Sequence, residues 1–190
     1  MKLNNIPEIL TEELDSHRVL NNSAMKVRRE DLRSIRDFMP QFFRAMVQAD
    51  GIGLAAPQVG IPLRFALVAT EATPIVLINP RIVDHSDIET VSKEGCLSLP
   101  GVEMEIMRYK EVSVQSRDFN WNKITYDVDG LTSICMQHEI DHLDGVLITS
   151  RKSLQDMLSD RISSFSDSRP SDEVMSDLRK KLEKYSNGRD

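Results

Sequence analysis

The chain has 190 residues, 40% apolar and 28% charged, with 24 basic and 30 acidic side chains and a formal net charge of −6. That length fits one domain with a short appendage, large enough to bury a core without cross-links. Two cysteines cannot form a disulfide framework, no apolar run is long enough to cross a bilayer, and the acidic balance argues against general nucleic-acid binding.

The N-terminal residues Met1-Lys2-Leu3-Asn4-Asn5 lack the apolar run of a signal peptide, so a reducing cytoplasm is the expected location. Residues 31–48 place Leu32, Ile35, Phe38, Phe42 and Met46 at helical spacing, and Pro40 should kink or divide that helix. Gly51 to Gly60 holds three glycines and a proline and reads as a structured loop. Residues 64–69 and 75–79 read as strands, with Asn79-Pro80 as a turn. Alternation over 111–117 and 123–129, joined by Phe119-Asn120-Trp121-Asn122, predicts a hairpin. From Leu131 to Leu143 the period becomes helical, and Gly145 lies where a helix C-terminus favours glycine. A further helix is expected from Leu154 to Phe165, then a serine-rich linker over 163–171. Val174, Leu178, Leu182 and Tyr185 then mark an amphipathic segment in a charged tail.

The sharpest chemical signal is His138-Glu139-Ile140-Asp141-His142. Four helical residues advance about 400° and about 6 Å, so the two imidazoles share a face and can bind one ion. Glu139 lies about 100° round the helix, close enough to reach a water on that ion without ligating it. The helix carries enough apolar residues to be buried, and burying two histidines and two acids without a function is costly. Two imidazoles need a third ligand. Cys135 is seven residues before His142, about 10.5 Å along a straight helix, too far for one ion to collect Cys135, His138 and His142. It reads instead as a small apolar wall beside the site. His17 and His85 lie in polar surroundings and read as surface residues. Cys96, in Glu94-Gly95-Cys96-Leu97-Ser98-Leu99-Pro100-Gly101, is the better candidate on a shaped turn or strand end, although spacing alone also allows a buried structural thiol.

Three segments together resemble peptide deformylase: Gly51-Ile52-Gly53-Leu54-Ala55-Ala56-Pro57-Gln58-Val59-Gly60, Glu94-Gly95-Cys96-Leu97-Ser98 and Gln137-His138-Glu139-Ile140-Asp141-His142. They stand in the family's order and at similar intervals, and a weaker resemblance runs from about residue 6 to 165. It implies an α+β fold, with mixed or antiparallel sheets wrapped around a central helix that carries the His-Glu motif. It implies a catalytic domain over 1–165 and a charged tail over 166–190. The implied reaction is removal of the formyl group from the N-terminal formylmethionine of new polypeptides. Cys96, His138 and His142 would be the metal ligands, with a water in the fourth position attacking the formyl carbon. Glu139 would be the general base and then the acid. Gln58 and the backbone N–H of Leu97 would bind the formyl oxygen. The Gly53 backbone would hold the peptide as an added strand, with Ile52, Leu97, Ile134 and Cys135 around the methionine side chain. Glu94 and Arg108 would form a buried ion pair behind the ligands.

The resemblance further implies one divalent metal ion, natively Fe2+, with Zn2+, Ni2+ or Co2+ in some preparations. Expected partners are formylated nascent polypeptides and the ribosome near its exit site. Neither specific nucleic-acid recognition nor a membrane is expected, and the chain should act as a monomer. Glu103 stands where many relatives have an arginine, Met107 replaces a frequent proline, and residues 147–150 depart from a more usual aromatic and acidic ending. These changes bear on substrate preference and surface partners. Two other readings compete. A metallopeptidase could use the same histidines and glutamate, although the Cys96 and Gln58 segments fit deformylation better. A non-catalytic relative that binds nascent chains would ordinarily have lost a ligand or the glutamate.

Overall fold

Phe65 and Leu67 point to one side of a four-residue strand, Ala66 and Val68 to the other, and all four are buried. A strand apolar on both faces needs cover on both, and this one has it. The computed structural model of the protein describes residues 6–153 except His17 and Glu71, together with Asp156, Leu158 and Ser159. Its elements in chain order are α1 (Leu32–Gln48), β1 (Gly53–Ala55), β2 (Phe65–Val68), β3 (Ile75–His85), β4 (Glu89–Cys96), β5 (Leu99–Tyr109), β6 (Glu111–Arg117), β7 (Lys123–Asp129) and α2 (Gly130–Asp144). A five-stranded sheet has the order β1-β2-β3-β6-β7, and β4-β5 form a separate hairpin. All the strand pairings are antiparallel. On one face of the larger sheet, Leu32, Ile35, Phe42 and Met46 of α1 pack with Phe65, Leu67 and Ile78. On the other, Met136, Ile140 and Leu143 of α2 pack with Ala66, Val68, Leu77, Val112 and Val114. Cys96, Leu99 and Ile106 of the hairpin form a third cluster with Leu20, Leu147 and Ile148. The fold is therefore α+β, with the motif-bearing helix inside it.

Three local expectations are corrected. Pro40 does not divide α1, which runs unbroken for 17 residues. Pro40 and Arg36 are both exposed, so water can satisfy the Arg36 carbonyl that the missing N–H leaves unpaired. Gly51 to Gly60 is not simply a loop. It contains β1 and a 3-10 turn over Ala56–Val59, ended by Gly60 at φ 74°. Asn79-Pro80 is not a turn but an irregularity within β3, where the register to β6 shifts between Ile78 and Arg81. Asn79 takes φ 51° there. Its side chain accepts from Val27 N–H at 2.9 Å and donates to Val27 carbonyl at 2.8 Å, as a strand partner would. Beside it, Ser116 Oγ accepts from Ile78 N–H and donates to the Ile78 carbonyl, satisfying both groups where the ladder is broken.

The 111–129 hairpin forms in regular register, with Val112 opposite Val128 and Val114 opposite Tyr126. Of the expected surface histidines, His85 is exposed and stacked on Tyr109, and His17 lies outside the described residues. The chain divides into two units, Met1–Leu154 and Gln155–Asp190. In the second, Asp156, Leu158 and Ser159 are helical. The rest of the helix expected to Phe165, the linker and the 166–190 tail lie outside the described residues. Among the described residues, no helix is long and apolar enough to cross a membrane.

Helix α2 ends on Gly145 at φ 77°, where an added Cβ would meet the Asn22 backbone at 2.7 and 2.8 Å. Gly130 also has positive φ but opens onto space. Gly130→Ala is expected to show the conformational penalty alone, about 1–3 kcal/mol. Gly145→Ala should cost more, because its neighbour is main chain and cannot swing away. Urea unfolding of the two variants measures the difference, and equal costs would mean that the 21–22 segment yields freely.

Candidate metal centre and active site

The site lies where α2 passes between β1 and the β4-β5 hairpin. Helical spacing presents His138 and His142 together, and Cys96 enters as the last residue of β4 before the Leu97-Ser98 turn. The donor atoms of Cys96, His138 and His142 all lie within 4.8 Å of one another. His142 Nε2 is 3.3 Å from Cys96 Sγ and 3.2 Å from His138 Nε2. A tetrahedral ion with ligand bonds of about 2.0–2.3 Å separates its donors by about 3.3–3.8 Å. The cluster thus fits one ion, and a thiolate with two imidazoles is a donor set suited to several transition metals.

The surrounding groups orient these donors. His138 Nδ1 is 2.9 Å from Glu94 Oε2. A carboxylate only accepts, so Nδ1 carries a proton toward Glu94 and Nε2 is the nitrogen that faces the cluster. Arg108 Nε and one terminal nitrogen each donate to Glu94 at 2.7 Å. The other terminal nitrogen donates to Asp141 at 2.6 Å, and Arg108 is 1% exposed. Burial works against ionised Glu94, but the Arg108 and His138 hydrogen bonds outweigh it and hold its pKa down to about 2. Burial also disfavours the His138 cation, yet contacts with Cys96 and Glu94 prevail and raise it to about 10. His142 shifts the other way, well below its ordinary value, through burial and then the His138 and Arg108 charges.

Glu139 lies one residue along α2, 3% exposed, and its Oε2 has no hydrogen-bond partner among the described residues. Burial pushes its carboxyl up to about 7, against the opposing His138 charge. A buried carboxylate with one oxygen left unpartnered among the described residues and a pKa raised toward neutrality suits proton transfer. Gln58 is fixed in one orientation: its Oε1 accepts from Ala55 N–H at 2.8 Å, so its Nε2 turns toward Ser98 Oγ at 3.4 Å and Cys96 Sγ at 4.0 Å.

These groups open onto a cavity of about 680 Å³ that reaches Ile52, Gly53, Leu97, Ile134 and Cys135 as well as Gln58, Glu94, Cys96, His138 and Glu139. All the candidate site residues except His142 and Arg108 line it, and those two lie directly behind the lining. Cys135 Sγ contacts the Ile52 carbonyl at 3.5 Å, and burial drives its thiol pKa well above the ordinary value. The cavity rim carries Glu103, paired with Lys93 at 2.7 Å.

Gly53 is where β1 passes Glu139. An added Cβ would strike Glu139 Oε1 and lie 2.7 Å from Cys135 Sγ and 2.8 Å from Glu139 Cδ. Gly53→Ala is therefore expected to push the Glu139 carboxylate aside and cost about a hundredfold or more in any turnover at this site, since a misplacement near 1 Å has that effect. The fold should persist because the displaced group is a side chain. Wild-type turnover in Gly53→Ala would show that the carboxylate position is not limiting.

Sequence reasoning missed Ser98, fully buried beside Gln58, and gave no role to Gln137, Asp141 or Arg151. Gln137 accepts from Tyr109 N–H at 3.0 Å and donates to its carbonyl at 2.8 Å, tying α2 to the end of β5. Asp141 was visible inside the motif, whereas Arg151 had no pattern to mark it.

The polypeptide deformylase sequence profile matches residues 9–157. A peptide deformylase of Dictyoglomus thermophilum is 41% identical over 133 residues, covering 70% of this chain and 86% of that one. Peptide deformylase 2 of Gloeobacter violaceus is 43% identical over 122 residues, covering 62% and 65%. The crystal structure of the Thermotoga maritima peptide deformylase superposes with a TM-score of 0.73 at 34% identity, covering 79% of this chain and 99% of that one. A Synechococcus elongatus peptide deformylase in complex with actinonin gives 0.71 at 36% identity, covering 84% and 86%. With its fold, its donor cluster and these likenesses together, the chain belongs to the polypeptide deformylase family.

Proposed function

We infer that this chain is a metal-dependent hydrolase that removes the formyl group from the N-terminal methionine of newly made polypeptides. The observation that carries the reading is the meeting, in one cavity, of a three-donor cluster, an unpartnered buried carboxylate and an amide of fixed orientation. Cys96, His138 and His142 would hold one divalent ion, which when bound supplies a Lewis acid that makes water more acidic and polarises a carbonyl. The chain's own groups do the rest. Glu139 takes a proton from the attacking water and delivers it to the departing amine, so the C–N bond breaks to formate and a free N-terminus. Gln58 Nε2 and the Leu97 backbone N–H donate to the formyl oxygen as charge gathers there. Ile52, Leu97, Ile134 and Cys135 enclose the methionine side chain, and the Gly53 backbone, at the free edge of the larger sheet, pairs with the substrate as an added strand.

Ferrous iron is the proposed native ion. Zinc binds such donors more tightly at equilibrium, so zinc, nickel or cobalt forms are expected in preparations. Residues 1–165 are proposed as the catalytic domain, supported by a family match that ends at residue 157, and 166–190 as an appended tail that meets the ribosome near its exit site. The cytoplasm is the proposed site of action, and the enzyme is proposed to act as a monomer.

The test is formate release from formyl-Met-Ala-Ser by anaerobically prepared protein with ferrous iron, with the acetylated peptide as control. Formate from the formylated peptide alone supports the reading. No formate from folded, metal-loaded protein overturns it.

A further inference from the structure

We infer that Arg151 is a positioning residue for the ligand set, acting through a continuous charged chain from Arg151 to Asp141, Arg108, Glu94 and His138. The inference rests on the proposed metal-ligand role of Cys96, His138 and His142. Arg151 follows the 3-10 turn Ile148–Ser150, and its N–H donates to the carbonyl of buried Ile148 at 3.0 Å. Its side chain binds both oxygens of Asp141, Nε to Oδ2 at 2.6 Å and a terminal nitrogen to Oδ1 at 2.5 Å. Asp141 Oδ2 also accepts from Arg108 at 2.6 Å. Arg108 forks both oxygens of Glu94, and Glu94 Oε2 accepts from His138 Nδ1. Side-chain exposure falls along the chain from 38% at Arg151 to 13% at Asp141 and 1% at Arg108.

The geometry explains why the outermost member matters. A carboxylate held by one donor can rotate about its χ angles, whereas one held at both oxygens by a planar fork cannot. Arg151 thereby fixes the plane of Asp141. Asp141 fixes the outer edge of Arg108, and the inner edge of Arg108 then aims Glu94 at His138. The imidazole that would ligate the ion is oriented from the end of the catalytic fold.

Charge and position predict opposite results. Arg151 is a positive charge near a cation site, so charge alone would make its removal tighten metal binding. Positioning makes its removal weaken metal binding. Replacing groups directly behind metal ligands costs about 10–100-fold in affinity. Arg151 stands further out, so about 3–10-fold is expected.

The dissociation constant for Co2+ should be measured by chelator competition on full-length wild type, Arg151→Ala, Arg151→Met and Arg151→Lys, with the absorption spectrum of each cobalt form. Arg151→Ala and Arg151→Met are expected to bind several-fold more weakly and show an altered cobalt spectrum. Arg151→Lys should recover part of the loss, because an ammonium reaches one carboxylate oxygen but cannot fork two. A purely structural role would lower the melting temperature of the metal-free protein and leave the constant and spectrum alone. Unchanged or tighter binding in the alanine variant overturns the inference. If that variant does not fold, Arg151→Met, which keeps the aliphatic stem, decides in the same way. Wild-type protein that binds no cobalt would instead sink the metal-site reading itself.

Discussion

Glu139→Gln is expected to fold, keep its metal and lose turnover by about 10²–10⁴-fold, the usual share of a positioned acid–base group. The change keeps the side chain's shape in a place that tolerates little else, since Glu139 is 3% exposed and its Oε1 sits against the backbone of Gly53. It removes only the capacity to take and return a proton. Oε2 has no partner among the described residues, so no ion pair is broken and the usual cost of cutting a buried charge network does not arise. Formate release and metal content measured on one preparation check this. Wild-type turnover would show that another group moves the proton. Loss of metal with turnover would mean that Glu139 ligates.

Arg108→Ala is expected to cost about 3–5 kcal/mol of stability, because removing one partner of a buried ion pair leaves the others charged and dry. Arg108 is the hub of three contacts, two to Glu94 and one to Asp141. Without it Glu94 keeps only the His138 contact and loses the main cause of its depressed pKa. That depression adds stability fully present above the ordinary carboxylate pKa and lost as pH falls toward about 2. Arg108→Ala removes this contribution at every pH above that range. Adding Glu94→Gln should recover part of the loss, since the stranded charge is gone. Urea unfolding of metal-free wild type, single and double variants checks it. A double variant as unstable as the sum of the two singles would mean that Arg108 and Glu94 do not act as a pair.

The sequence made legible whatever depended on neighbours in the chain. Helix α2, its glycine stop and the 111–129 hairpin follow from periodicity and turn residues, and the structure has them at those places. Features set by distant partners were not legible. Asn79-Pro80 carries every local mark of a turn, yet Val27, 52 residues away, captures the Asn79 side chain and the strand continues. The β4-β5 hairpin had no visible pattern for a related reason. The inward positions of β4 are Ser92, Glu94 and Cys96, so a face normally written in valine and isoleucine carries polar groups that serve the site. The Glu94–Arg108 pair, 14 residues apart in sequence, was suggested by family resemblance alone.

The proposed ligands belong to separate pieces of core. Cys96 is embedded with Leu20, Leu99 and Ile106, whereas α2 is embedded with the larger sheet through Met136, Ile140 and Leu143. An ion held by Cys96 and His138 would join points 42 residues apart (138 − 96) and would act as a cross-link between them. Because it would bind only where the two pieces meet, its stabilising effect would fall on their junction. The five-stranded sheet is sandwiched between α1 and α2 without it. The hairpin, with two strands and one small cluster beneath it, would gain most, so an ion proposed to serve the chemistry would also fasten the cavity wall formed by β4-β5.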